Sequence, residues 1–230
     1  CWEPLESLFK TLPDVTHVIP LRLNNGLENA LKNLAQLDFD YFLPLLSLPR
    51  VFKTTLETIP PPPSLPLQGG GRVSLTGERG GKIGIVWAGN PKNPEDWKRS
   101  CSFYHFAKLL SIPSITWFSL QQGERVQDIY QWKAENKMID LSSHLSSFAD
   151  TAHFIEQLDL IITVDTAVVH LAGTLGKAVW VLLSYIPNWR WLMNREDSPW
   201  YPTLRLFRQP TPGDWESVFE RVLKKLTLLF

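Results

Sequence analysis

An aspartate and a histidine interrupt the most apolar part of the chain, IITVDTAVVHLAGTLGKAVWVLL, residues 161–183. If DLIITV (159–164) is a strand and AVVHLAGTL a helix, Asp165 and Thr166 fall in the turn between them. His170 follows Thr166 by four residues, so both side chains project from one face of the first helical turn. Polar side chains there can cap the helix, while its free amides and the positive end of its dipole attract anions. Ala167 keeps the turn small enough for a phosphate to approach the backbone. The chemistry this implies is diphosphate binding. On spacing alone, an ordinary N-cap followed by a histidine packed in a core is the favoured reading.

A second feature shifts that balance. KIGIVW (82–87) reads as a strand and runs into the polar loop AGNPKNPEDWKRS, where Lys98 and Arg99 precede a helix. Two cations just ahead of a helix N-terminus are placed to clamp phosphate oxygens; the alternative is a solvated surface pair. Asn90, in the same loop, is a further candidate. No G-x-G-x-x-G turn follows the strand, which counts against a dinucleotide oxidoreductase.

Both features need an architecture that brings strand ends to one edge. SITWFSL (114–120), KMIDL (137–141), DLIITV, AVWVLL (178–183) and LRLF (204–207) read as strands. Helical patterns separate them: Phe103, Phe106, Ala107 and Leu110 at i, i+3, i+4, i+7; ERVQDIYQWK (124–133); DTAHFIEQL (150–158), capped near Asp150. A last helix begins at Asp214, with Trp215, Val218, Phe219, Val222, Leu223 and Leu226 on one stripe. Runs as apolar as DLIITV and AVWVLL suit strands buried on both faces. The alternation predicts an α/β, doubly wound parallel sheet over 82–230, with ligands at the strand C-terminal edge. Residues 60–81, with a polyproline run and many glycines, read as a linker, and 1–59 as part of an α/β domain whose beginning is missing.

The 230 residues carry 23 basic and 23 acidic side chains, so bulk charge offers no argument for nucleic acid or an anionic membrane. Two cysteines, Cys1 and Cys101, make no disulfide framework, and the cytoplasm is the expected compartment. No stretch reads as a membrane span, and the start at Cys1, without methionine or leader, is expected to be a piece of a longer protein. Asp38 and Asp40 form a D-x-D, a spacing that could hold a metal ion. The favoured reading is solvent-facing strand positions.

LDLIITVDTAVVHLAGTLGKAVWVLL resembles the donor motif of the family-nine glycosyltransferases, the bacterial heptosyltransferases of GT-B fold. IVWAGNPKNPEDWKRSCSFYHFAKLL is similar to that family's first donor-domain strand with its Lys-Arg pair. GIVWAGNP, WRWL, REDSPWYPTLRLFRQP and GDW look still more like the glycosyltransferase-like domain that follows tetratricopeptide repeats in bacterial proteins. The resemblance implies a complete C-terminal Rossmann-like half of a GT-B enzyme and transfer of a sugar, with inversion and without a metal ion or other cofactor, from a nucleotide-diphosphate sugar. By position, Asp165, Thr166, Ala167 and His170 would line the donor, and Lys98 and Arg99 would neutralise the leaving diphosphate. The family's general base lies in an N-terminal segment absent here, so no catalytic residue is assigned. Ala167 stands where the family has glycine. The acceptor, glycan or protein, stays open, as does a catalytically silent module that keeps only the donor fold.

The tail adds aromatic and cationic candidates. Trp180, Trp189, Trp191, Trp200 and Trp215 are five of the ten tryptophans. Trp189 or Tyr201 could stack on the donor, and Arg190 or Arg195 reach its phosphates. The favoured alternative folds this tail over the sheet edge, with its aromatics covering the core and its arginines paired to Glu196 and Asp197.

Overall fold

The computed structural model describes residues 80–230 without a break, together with 6–10, 15–18 and residues 51, 53 and 55. The Asp38 and Asp40 pair, the linker residues 60–79 and most of 1–59 lie outside the described residues. Within 1–59, a helical turn occupies Glu6–Phe9 (α1), and residues 15–18 form no regular element.

Residues 80–230 build a parallel six-stranded sheet: β1 (Gly81–Val86), β2 (Ile115–Ser119), β3 (Ile139–Asp140), β4 (Leu160–Val164), β5 (Val179–Leu183) and β6 (Leu204–Arg208). The strand order is β3-β2-β1-β4-β5-β6, and every neighbouring pair is parallel. The helices are α2 (Asp96–Arg99), α3 (Phe103–Ala107), α4 (Gln127–Gln131), α5 (Phe148–Glu156), α6 (Ala167–Thr174) and α7 (Trp215–Leu226).

Every residue of β4 and β5 is buried, because helices cover both faces of the sheet. The alternation of strand side chains splits the core in two. Ile83, Ile85, Trp117, Ile162, Trp180 and Phe207 face one way and pack with Phe103 and Phe106 of α3, Ile129 of α4 and Val218, Phe219 and Val222 of α7. Val86, Phe118, Ile161, Val181 and Leu206 face the other way and pack with Ala152 and Ile155 of α5 and Val169 and Ala172 of α6. Leu223, expected on the buried stripe of α7, sits at its margin, 38% exposed.

Three helices differ from the periodic reading. The 103–110 pattern is α3 followed by a 3-10 turn at Leu109–Ser111, and the 124–133 pattern is a 3-10 turn at Gly123–Val126 followed by α4. α5 begins two residues before Asp150, because Ser147 is its cap. Ser147 Oγ accepts from Asp150 N at 3.2 Å, and Asp150 Oδ2 accepts from Ser147 N at 2.8 Å, a reciprocal capping box.

Among the described residues no helix is long and apolar enough to cross a membrane. Replacing Ser147 with Ala removes one half of the capping box and is expected to cost about 1 kcal/mol. Urea denaturation checks this as a lower midpoint at unchanged slope.

Candidate functional site

The strand order reverses direction between β1 and β4, so the chains leaving these two strands part and open a crevice at the carboxyl edge of the sheet. A cavity of about 700 Å³ occupies it. Asn90, Lys92 and Arg99 line it from the loop after β1, and Gln121, Gln122 and Glu124 from the loop after β2. Phe148 and Thr151 of α5, with Thr166, Ala167 and Val168 at the start of α6, complete the wall.

The cationic side is built by a helical turn that the sequence reading took for loop. Asn93 Oδ1 accepts from Glu95 N at 3.0 Å, and Asp96 Oδ2 accepts from Ser100 Oγ at 2.7 Å. These local bonds close α2 and turn its last two residues in different directions. Lys98 points outward, pairs with Glu95 and lies over the Trp97 ring, 5.7 Å from its centroid. Arg99 points inward: Nε donates to Asp96 Oδ1 at 3.0 Å, and Nη1 donates to the carbonyl of Asp165 at 3.1 Å. So Lys98 and Arg99 close one short helix, and the next begins only at Phe103, capped by Ser102. Gly89 makes room for the guanidinium. A Cβ there would stand 2.2 Å from Asp96 Oδ1 and 2.6 Å from Arg99 Nη2.

The facing wall is the start of α6. Thr166 is the N-cap residue by position, yet its side chain accepts no amide hydrogen; its hydroxyl lies 3.3 Å from that of Thr163 instead. The expected capping by Asp165 and Thr166 is therefore not made, and the first amides of α6 stay available at the cavity wall. Ala167 lines the cavity beside them. Asp165 is buried behind this wall, its carbonyl held by Arg99.

Gln121 holds the crevice floor. Its buried amide oxygen accepts from Trp87 N at 3.1 Å and Ala88 N at 3.0 Å, and its nitrogen donates to the carbonyls of Ala88 and Gln122, both at 3.0 Å. Residues Gln121, Gln122, Glu124, Phe148 and Lys92 escaped sequence reasoning. Their signal was positional only: each follows a strand at the carboxyl edge, but loops of unknown course cannot be assigned to a wall.

His170 lies one turn further along α6 and does not line the cavity. Its ring stacks on Trp191, with centroids 5.5 Å apart and planes at 16°, and Nδ1 lies 3.1 Å from the Tyr201 hydroxyl. The Tyr201 ring rests on Gly173, where a Cβ would come within 2.7 Å of it. Trp191 is buried in the core, as expected of a tail folding over the sheet, whereas Trp189 is exposed. Arg190 anchors this region through its carbonyl, which accepts from Trp200 Nε1 at 2.8 Å. Arg195 pairs with Asp197, and Glu196 with Arg205. Thus Asn90, Arg99, Thr166 and Ala167 meet at one cavity, while His170, Arg190 and Tyr201 gather beside it and Lys98 faces solvent.

Burial lowers the His170 pKa, the Arg190 charge lowers it further, and Asp165 opposes both. The folded value lies below the unfolded one, so protonation favours the unfolded chain. Stability is therefore full above about pH 6.5 and falls as pH drops toward the lowered folded value. His105, whose pKa burial also lowers, adds to the same slope. His170→Gln is expected to flatten the loss of melting temperature between neutral and mildly acidic pH, read by thermal denaturation against wild type. An unchanged slope would show that His170 is not held neutral.

No family model matches the chain. Over 154 residues it is 29% identical to Protein FlbA of Caulobacter vibrioides, covering 64% of the chain but only 25% of FlbA. Among solved structures it is similar to ADP-heptose LPS heptosyltransferase II of E. coli, with a TM-score of 0.51 and 19% identity, over 68% of this chain and 48% of that one. A weaker likeness, at a TM-score of 0.39 and 14% identity over 64% of this chain and 74% of the other, is to the C-terminal domain of the glycosyl transferase group 1 family protein LpcC of Francisella tularensis. The chain thus spans a quarter of the curated relative and about half of the first structural one. The parallel six-stranded sheet with helices on both faces is a heptosyltransferase-like glycosyltransferase fold.

Proposed function

We propose that this chain is the donor-binding half of a glycosyltransferase, and that its crevice holds a nucleotide-diphosphate sugar. The observation that carries the reading is the pairing, across one cavity, of the Arg99 guanidinium with the uncapped start of α6. Backbone amides and a fixed guanidinium are the two groups that hold phosphate oxygens best. Lys92 lines the same cavity and makes no ion pair with another described residue. At the other wall, Phe148 offers a ring face for a base and Glu124 a carboxylate for ribose hydroxyls.

In this reading the sugar leaves the diphosphate with inversion, and Arg99, with Lys92 and the α6 amides, neutralises the charge that grows on the leaving group. These groups take the part a metal ion plays in other transferases. Lys98, turned outward and paired with Glu95, contributes field rather than contact. His170 acts at one remove, its stack on Trp191 holding α6 against the tail. The base that deprotonates the acceptor belongs to the N-terminal half, in a longer protein that carries tetratricopeptide repeats and works in the cytoplasm. The enclosure of His170 by Trp191 and Tyr201 favours a second reading, a module that binds the donor without transfer.

Calorimetric titration with ADP-, UDP- and GDP-linked sugars tests donor binding. A charge-assisted bond contributes about 1.5–3 kcal/mol, so Arg99→Met is expected to weaken the bound donor by roughly 10- to 100-fold. Gly89→Ala should lower affinity in the same direction, because the added methyl displaces the guanidinium. If neither substitution changes affinity, or no nucleotide sugar binds, the assignment of the cavity is wrong. Donor binding without sugar transfer by the full-length protein would select the second reading.

A further inference from the structure

A second concavity, of about 590 Å³, lies between the 93–102 segment and α4, divided from the donor cavity by the loop carrying Pro91, which lines both. Two tryptophans stand at it, Trp97 at 75% exposed and Trp132 at 46%. Neither is an accident of a loose loop. Trp132 is held against Tyr104, with ring centroids 5.5 Å apart, and Trp97 projects from α2 with the Lys98 ammonium over one face of its ring, 5.7 Å from the centroid, which leaves the other face open. Rings of this size normally bury most of their area, so held yet uncovered faces mark a surface that meets something else.

The rest of the lining says what that is. Asp128 accepts from the Trp87 indole through Oδ2 at 2.8 Å, which fixes the carboxylate and leaves Oδ1 with no partner among the described residues. Arg125 and Gln131, on the same face, make no side-chain hydrogen bond or ion pair with any described residue. The groove thus presents flat apolar faces beside a fixed acceptor, an amide that both donates and accepts, and a planar donor.

A pyranose ring has the matching chemistry: an apolar C–H face that lies on an aromatic ring, and hydroxyls at its edge that donate and accept at once. A phosphate or nucleic acid would meet the carboxylates of Asp96 and Asp128. A polyproline strand fits aromatic faces but has no N–H for Asp128, and an apolar partner would strand all three polar groups. We propose that this groove binds a pyranose unit of a glycan, with Trp97 and Trp132 as platforms and Asp128, Gln131 and Arg125 reading its hydroxyls. The assignment uses none of the residues assigned to the donor and stands apart from that reading.

The test is a titration of the ¹⁵N-labelled chain with N-acetylglucosamine, methyl α-mannopyranoside and lactose, following the indole N–H signals of Trp97 and Trp132, assigned with Trp97→Phe and Trp132→Phe. At least one saccharide is expected to shift both signals saturably, with a millimolar dissociation constant. That affinity should fall about tenfold or more in Trp97→Ala and in Gln131→Ala, the loss of one platform or one hydroxyl reader. Nucleotide-sugar affinity should be the same in Trp97→Ala as in wild type. Failure of all three saccharides to move either indole, or wild-type saccharide affinity in Trp97→Ala, would overturn the proposal. So would a proline-rich peptide that shifts both indoles when no saccharide does.

Discussion

A sheet covered by helices on both faces can meet a ligand only at its strand ends, and in a parallel sheet all the strand C-termini lie on one edge. Crossovers normally close that edge with short loops. They part only where the winding reverses, which here is between β1 and β4. The candidate site takes its place from that reversal: the loop after β1 and the turn after β4 leave in opposite senses, and the space between them is neither core nor open surface.

What makes the space electrostatically distinct is local, since the whole chain is neutral. Arg99 is held by Asp96 on its own helix and by the carbonyl of Asp165 across the crevice, so a single side chain ties the two diverging segments and leaves part of its guanidinium facing the cavity. The uncapped start of α6 adds amide donors on the opposite wall. A cap would have satisfied those amides internally; Thr166 turns its hydroxyl toward Thr163 instead. A helix end whose first amides stay free beside a fixed cation favours an anion.

The tail supplies stiffness rather than lining. Trp191 fills the second core layer and stacks on His170, Tyr201 crosses Gly173 to reach the same imidazole, and Arg208 donates to the carbonyls of Trp191 and Leu192. These contacts pin α6, and with it the cavity wall, from behind. The histidine that looked most like a ligand in the sequence is thus tied into packing, while part of the stretch read as a polar loop, 96–99, forms the helical turn that aims the cation.

Sequence alone determined the layers. Apolar runs such as DLIITV and AVWVLL have no solvent face to lose, and their alternation with helical stripes leaves a doubly wound parallel sheet as the arrangement that buries them. It also located Asp165, Thr166 and Ala167 at a strand-to-helix turn, because that change of period is a property of the local chain. Tertiary structure decided what faces what. Lys98 and Arg99 are neighbours with the same charge, yet one meets solvent and the other the crevice, since the bonds of Asp96 set the turn they share. Gln121 and Phe148 carry no local mark of their place, because they come to the cavity through separate loops whose courses depend on contacts far along the chain. Periodicity is written in neighbouring residues, and convergence is not.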